Sequence, residues 1–167
     1  YGAEYNGSSS VNGALKITLP KSWSNTMMSM KIVVFEYATN ESFEISCGGY
    51  NYTGSGGTWV NTHAKIIASG KEDRNFNIRF GHDGAKCCIY IGETTTNWSY
   101  PKVVVTEWIG GHSAETFSNW DNGWAISAVT SLGTITSTES NSQIGRYQSI
   151  IYDVNDTTYY LDPNSTS

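Results

Sequence analysis

The feature that most constrains the fold is the C-terminal stretch from Tyr152 to Ser167, which carries strand-forming residues but little else to bury them against. In an extended chain Tyr159 and Leu161 fall on one face and Tyr160 on the other. Asp162-Pro163-Asn164 then ends the strand with turn-forming residues. A lone strand with apolar residues on both faces is marginal in water. We therefore predict that identical chains wrap these tails around one another, so that a neighbouring subunit covers the rings.

The same segment carries a resemblance. Its sequence, Asp-x-Asn-Asp-Thr-x-Tyr-Tyr-Leu-Asp-Pro-Asn-Ser-Thr-Ser, resembles the short repeat between globular beads in the long tail fibres of T-even-like bacteriophages. The stretch from Phe80 to Thr94, continued to Val103, is similar to the β-domains between such repeats. The resemblance implies a homotrimeric, interwoven β-stem joined to neighbouring tail-fibre segments. The residues that would make trimer contacts are Tyr152, Tyr159, Tyr160, Leu161 and Pro163.

The composition argues against two kinds of binding partner, nucleic acids and membranes. Only 15% of the residues are charged and the net charge is −5, so the solubility of the chain depends mainly on Ser, Thr, Asn and Gly. The densest basic stretch, Lys65 to Arg79, is interrupted by Glu72 and Asp73, which argues against nucleic acid. No apolar run approaches the roughly 20 residues of a membrane helix, so we predict no membrane insertion. Aromatic residues make up 13% of the chain, which favours strands and a binding surface.

Strand patterns cover most of the chain. Leu15, Ile17 and Leu19 alternate on one face. Two hairpins are predicted, one from Met28–Ala38 and Ser42–Cys47, the other from Phe76–Phe80 and Cys88–Ile91. About eight strands suit a jelly-roll-like, two-sheet β-sandwich. We predict an all-β protein with a linker or upstream stem over residues 1–13, a sandwich over 14–138 and a trimeric stem over 139–167.

The sequence gives little sign of catalysis. His63, His82 and His112 have no metal-ligand spacing, so neither a metal nor a cofactor is predicted. The chain has three cysteines, Cys47, Cys87 and Cys88, and the last two are adjacent in an apolar strand. This setting favours buried thiols over reactive ones. A disulfide from Cys47 to one of the other two stays open.

Carboxylates near tryptophans could in principle cleave a glycan. Glu107, Glu115 and Asp121 stand beside Trp108, Trp120 and Trp124, but Asp121 before Asn122-Gly123 is typical of a turn. We predict that the protein is not an enzyme.

Aromatic rings in or beside polar loops are the candidates for binding a receptor or glycan, because a flat ring stacks on a sugar face. The alternative for each ring is a place at the edge of the sandwich core. Trp59 and Trp108, which lie in apolar alternation, are predicted to be core. The candidate binding residues are Tyr50, Tyr52, Trp98, Tyr100, Trp120 and Trp124.

The function expected from the resemblance is that of a structural module of a phage tail fibre, located in the virion and assembled in the host cytoplasm. The sequence leaves undecided whether the module also binds a bacterial surface glycan or an outer-membrane protein. Trimerisation would raise a weak contact to useful avidity. The alternative is a monomeric carbohydrate-binding module of a secreted or cell-surface protein, which would need no stem.

Overall fold

The computed structural model describes residues 2–37, 41–69, 76–111, 117–140, 143–144, 151–152 and 160–161. These residues form fifteen strands, two short 3-10 turns at Gly54–Gly56 and Phe117–Trp120, and no α-helix. None of the described helical turns is long or apolar enough to span a bilayer. In chain order the strands are β1 Glu4–Asn6, β2 Val11–Asn12, β3 Ala14–Thr18, β4 Thr26–Glu36, β5 Glu41–Tyr52, β6 Thr58–Ser69, β7 Asn77–His82, β8 Cys87–Ile91, β9 Asn97–Trp98, β10 Lys102–Gly111, β11 Ala125–Val129, β12 Thr134–Ser140, β13 Gln143–Ile144, β14 Ile151–Tyr152 and β15 Tyr160–Leu161.

Two large sheets make an all-β sandwich, as the sequence predicts. One sheet has six strands in the order β1-β10-β4-β5-β6-β13, and the other has five in the order β11-β3-β8-β7-β12. Neighbouring strands are antiparallel except for β13, which runs parallel to β6. Side chains of β12 also reach the six-stranded sheet, since the Thr136 Oγ1 accepts a hydrogen bond from the Trp59 amide at 3.0 Å. The sandwich is thereby closed along one side.

The core lies between the sheets and follows the period-two pattern of the strands. In β4 the side chains of Met28, Met30, Ile32 and Val34 are buried, while Met27 points to the opposite face. β8 is buried on both faces. Its odd-numbered residues join the main core, whereas Cys88 and Tyr90 pack with Ala14 in a second, smaller cluster. The largest fully buried side chains include Trp98, Trp120, Tyr90, Phe43, Phe80, Leu15, Ile17 and Leu19.

Both predicted hairpins are confirmed. β4 pairs with β5 over their full length, from Glu36 opposite Glu41 to Thr26 opposite Asn51. β7 pairs with β8 from Ile78 opposite Ile91 to His82 opposite Cys87. The strand pattern in these segments is strong because one face is buried in the core.

The structure corrects the limits of the sandwich at both ends. Residues 4–6 pair with β10 and residues 11–12 pair with β9, where the sequence suggests a linker. Backbone hydrogen bonds hold this polar segment, including one from the Gly2 amide to the Val105 carbonyl at 2.8 Å. At the other end β12 continues to Ser140, and Gln143 and Ile144 pair with β6, so part of the 139–167 stretch also belongs to the sandwich.

The other described residues of the predicted stem form a separate two-stranded ladder. Ile151 stands opposite Leu161 and Tyr152 opposite Tyr160. Within the residues that the structure describes, this ladder shares no strand with either large sheet. Tyr159 and Pro163, also predicted to make trimer contacts, lie outside the described residues.

Candidate binding site

The six aromatic residues predicted to bind a receptor do not form one surface. Tyr52 and Tyr100 are exposed, by 42% and 44%. Tyr50 and Trp124 are half-buried. Trp98 and Trp120 are fully buried in the main core.

Trp98 and Trp120 therefore lack a ring face for an external ligand. Trp98 lies in β9, and its Nε1 donates a hydrogen bond to the Gly13 carbonyl at 2.8 Å while its ring packs against Phe76 at 5.0 Å. Trp120 packs between Trp108 and Trp124, with ring centroids 6.0 and 6.2 Å away. Both rings instead pack at the edge of the β-sandwich core, which is the alternative role predicted for aromatic residues beside loops.

Trp59 and Trp108 were predicted to be core. Trp59 is only 3% exposed, and its Nε1 donates to the Gly81 carbonyl at 3.0 Å, which confirms the prediction for that residue. Trp108 is half-buried and packs against the core from its edge. Together with Trp120 and Trp124 it forms a cluster of indoles, held by a hydrogen bond from the Trp124 Nε1 to the Trp120 carbonyl at 2.8 Å.

Tyr100 makes a separate exposed pair with Tyr37, at 5.9 Å between ring centroids in an edge-to-face geometry. It belongs to the loop before β10 and has a positive φ of 49°. None of the other five predicted binding residues has a ring contact with it among the described residues.

Tyr50 and Tyr52 are the two predicted residues that lie together on an accessible surface. The sequence predicts that these rings lie in or beside a polar loop, but β5 continues through this stretch to Tyr52. Because Asn51 between them is buried, both rings stand on the outer face of the six-stranded sheet. The rings stack at 5.9 Å with an interplanar angle of 25°.

The outer face beside Tyr50 contains a groove with a volume of about 630 Å³. Small residues make its floor, because Ser29 of β4 stands opposite Gly48 of β5. Larger side chains surround this floor. The lining residues with outward or open positions are Met27, Ser29, Tyr50, Asn61, His63 and Ile109.

Strand pairing explains the walls of the groove. Ile109 is the β10 neighbour of Ser29, and His63 is the β6 neighbour of Gly48, so these two side chains flank the floor on opposite sides. Met27 is paired with Tyr50 and closes one end. A Cβ added to Gly48 would lie 2.8 Å from the His63 Cε1 and 2.1 Å from the Met28 carbonyl oxygen, so only glycine permits this close approach.

A β-bulge shapes the side of the groove formed by β6. The register between β5 and β6 shifts between Gly48 and Tyr50. On the opposite strand Asn61 has a φ of 52°, a left-handed conformation that is uncommon outside glycine. Bulges redirect side chains and occur often beside binding sites. Here the bulge places the Asn61 amide at the groove beside His63.

The groove has few charged neighbours. Its lining includes no carboxylate, lysine or arginine. The adjoining groove has an ion pair in its lining, where Lys31 Nζ is 3.4 Å from the Glu107 carboxylate, and both side chains are substantially exposed. Met27 and Ile109, exposed by 56% and 61%, make the groove surface mainly apolar.

The residues considered for catalysis or metal binding are placed elsewhere. Glu107 pairs with Lys31, Asp121 is exposed in a turn, and Glu115 and His112 lie outside the described residues. His82 stacks on Trp23 at 5.1 Å. Over the described ranges no group of His, Cys, Asp and Glu could hold a metal ion.

The three cysteines are buried free thiols. Burial raises the pKa of Cys47 and of Cys87 to about 12 and that of Cys88 to about 11. Because the thiolate is the nucleophilic form, these groups are poor nucleophiles in the folded protein. The predicted preference for buried over reactive cysteines is confirmed.

Sequence reasoning missed five of these six groove residues: Met27, Ser29, Asn61, His63 and Ile109. A signal for two of them exists, because Met27 and Ile109 are large apolar residues at outward positions of alternating strands. Asn61 and His63 give no such signal, since their position depends on the β5–β6 register.

Comparison of the chain with protein-family models, with curated proteins and with solved structures gives no match.

Proposed function

We propose that this chain is a structural module of a bacteriophage tail fibre, in which a β-sandwich bead is followed by a homotrimeric stem. The observation that carries the proposal is the ladder of Ile151–Tyr152 with Tyr160–Leu161, which takes no strand from the sandwich within the described residues. A ladder of two-residue strands is too short to be stable by itself in water. Pairing with two further copies of the same segment would supply the missing partners.

The resemblance of the tail to the fibre repeat supports the same proposal, because its strand residues Tyr160 and Leu161 are those of the ladder. In a fibre the sandwich would act as a rigid bead that adds length and stiffness. The groove beside Tyr50 would let the same bead contact a bacterial surface. Three copies on one stem would then bind with avidity.

The test is the molar mass of the intact chain by size-exclusion chromatography with light scattering at micromolar concentration. We expect about three times the chain mass of 18.3 kDa. Leu161→Asp should lower the mass to that of one chain, since a charge cannot be buried at the stem without a partner. The matched control Tyr100→Asp changes an exposed residue of the sandwich and should leave the trimer intact. A monomer for the unaltered chain would refute the stem proposal.

A monomeric carbohydrate-binding module is the second candidate, and the open groove with its stacked tyrosines favours it. In that case the intact chain is a monomer, and deletion of residues 152–167 should leave both the monomeric state and the unfolding midpoint unchanged. For a fibre module the same deletion should abolish the trimer while the sandwich stays folded. The two candidates therefore differ in one measurement on one truncated chain.

A further inference from the structure

We propose that the groove on the outer face of the six-stranded sheet is a binding site for a 2-acetamido sugar. This inference rests on the surface-contact part of the proposed function and does not depend on the trimeric stem. The groove has an aromatic ring, an apolar wall and an amide side chain around a small floor. Each of these matches one part of an N-acetylated hexose.

The ring platform is Tyr50. Its ring is held in place by stacking on Tyr52, and Asn51 between them is anchored in the core, so the platform is pre-organised. The C–H face of a pyranose is apolar and packs against such a ring. Aromatic side chains supply much contact area at low entropy cost because they have few rotatable bonds.

The apolar wall is formed by Met27 and Ile109. Both are more than half exposed, on a sheet face that also carries the polar residues Lys31 and Ser46 and the apolar residue Phe35. In a plain hexose the apolar C–H face packs on the Tyr50 ring and the rim consists of hydroxyls, so no second apolar group is left to cover these side chains. The acetamido methyl provides one, and covering exposed apolar surface stabilises a complex in proportion to the area removed from water.

The polar groups stand on the opposite side of the floor. The side chains of Asn61 and His63 are exposed and have no hydrogen-bond partner within the part of the chain that the structure describes. An amide can both donate to and accept from an acetamido group or a hydroxyl. Asn61 has a left-handed φ of 52°. Strained backbone conformations of this kind occur preferentially at binding sites.

The charge of the site selects a neutral ligand. With no lysine or arginine in the lining, a uronic acid or phosphosugar would lose hydration without gaining an ion pair to either of these side chains. The floor of Ser29 and Gly48 leaves room for a ring substituent beside the sheet. A neutral N-acetylhexosamine fits both conditions.

The test is a titration of the full chain, followed by NMR of ¹³C-labelled methionine methyl groups. The chain has three methionines, of which Met27 is in the groove and Met30 is 2% exposed in the core. The ligands are the methyl glycosides of N-acetylglucosamine and of glucose, which differ only in the acetamido group. We expect a saturable shift of the Met27 methyl, with a Kd of about 1–10 mM for the acetamido sugar and at least about tenfold weaker binding of the glucoside. The Met30 signal should stay unchanged.

Two variants locate the site. Tyr50→Ala removes the ring and Ile109→Ser removes the apolar wall, and each should weaken binding of the acetamido sugar at least about tenfold. Ile109 is exposed by 61%, so its substitution leaves the core intact even if Tyr50→Ala perturbs β5. Tyr100→Ala removes an exposed tyrosine outside the groove and should bind normally.

Three results would overturn the proposal: no saturable shift of Met27, equal binding of the two glycosides, or unchanged binding by Ile109→Ser. Tighter binding of N-acetyl-leucine methylamide than of the acetamido sugar would also overturn it and assign the groove to a protein partner. A trimer without the Met27 shift leaves the fibre proposal standing and refutes the sugar site. A monomer that shows the Met27 shift supports the sugar site and refutes the fibre proposal.

Discussion

Replacement of Asn51 by alanine should destabilise the protein more than the small number of removed atoms suggests. Asn51 is fully buried in β5, between the two groove tyrosines. Its Oδ1 accepts a hydrogen bond from the Thr26 amide at 2.6 Å, and its Nδ2 donates to the Ser24 Oγ at 3.2 Å. The side chain thus ties the segment before β4 to the strand that carries Tyr50.

The magnitude follows from the groups that lose a partner. Thr26 is fully buried, so its amide would be left without the Asn51 acceptor, at a cost of about 1–3 kcal/mol. The lost donor bonds add about 1 kcal/mol. We therefore expect Asn51→Ala to lower the free energy of unfolding by about 3 kcal/mol, which corresponds to about 6–12 °C in Tm for a chain of this size.

The assay is equilibrium unfolding in urea, followed by tryptophan fluorescence, because Trp59, Trp98 and Trp120 are buried in the folded state. The control is Asn122→Ala, which changes an exposed asparagine in a turn and should shift stability by less than about 0.5 kcal/mol. Amide exchange at Thr26 should also become faster in Asn51→Ala. A loss of less than about 1 kcal/mol would refute the reasoning, because it would mean that water or a backbone carbonyl replaces the Asn51 acceptor at little cost.

Two further predictions concern titratable groups. Burial disfavours ionisation of Asp83, but its hydrogen bonds from the Lys16 Nζ at 2.6 Å and from the amides of Lys86 and Ala85 hold its pKa well below the usual range. The Asp83 carboxylate therefore contributes to the free energy of unfolding above its unfolded pKa of about 4, and this contribution is lost as the pH falls through the lower folded pKa. Asp83→Asn should cost about 1–2 kcal/mol at neutral pH and progressively less under acid conditions. Urea titrations at several pH values measure this dependence. A penalty for Asp83→Asn that stays constant down to about pH 2 would contradict this assignment. The three buried thiols should resist a thiol reagent at about pH 8 until the protein unfolds, and rapid labelling of any of them in the absence of denaturant would contradict their burial.

Much of the sandwich could be predicted from the sequence, because alternation along a strand directly reports a buried face. The β4–β5 and β7–β8 hairpins are examples, with residues such as Ile32 and Phe80 on the core side. Segments without alternation were assigned to a linker or a boundary instead. Residues 4–6 became a strand only because β10 offers an unpaired edge to them, and sequence periodicity does not record such an edge.

The binding residues were harder to predict for a physical reason. A tryptophan beside polar residues looks the same in sequence whether it caps the core, as Trp98 does, or faces solvent. Which case holds depends on whether a backbone carbonyl such as that of Gly13 comes within reach of the indole N–H. That depends on contacts between residues far apart in the chain.

The all-β class, the positions of the best-patterned strands and the burial of the cysteines could be read from the sequence, because they depend on the polarity of each residue and its near neighbours. Only the tertiary structure decided which aromatic rings are accessible and that Met27, Tyr50, His63 and Ile109 surround one groove. Those residues come from four strands, and their proximity is set by strand order and register. Register arises from the packing of the whole sheet against its core, so no single segment of sequence contains it.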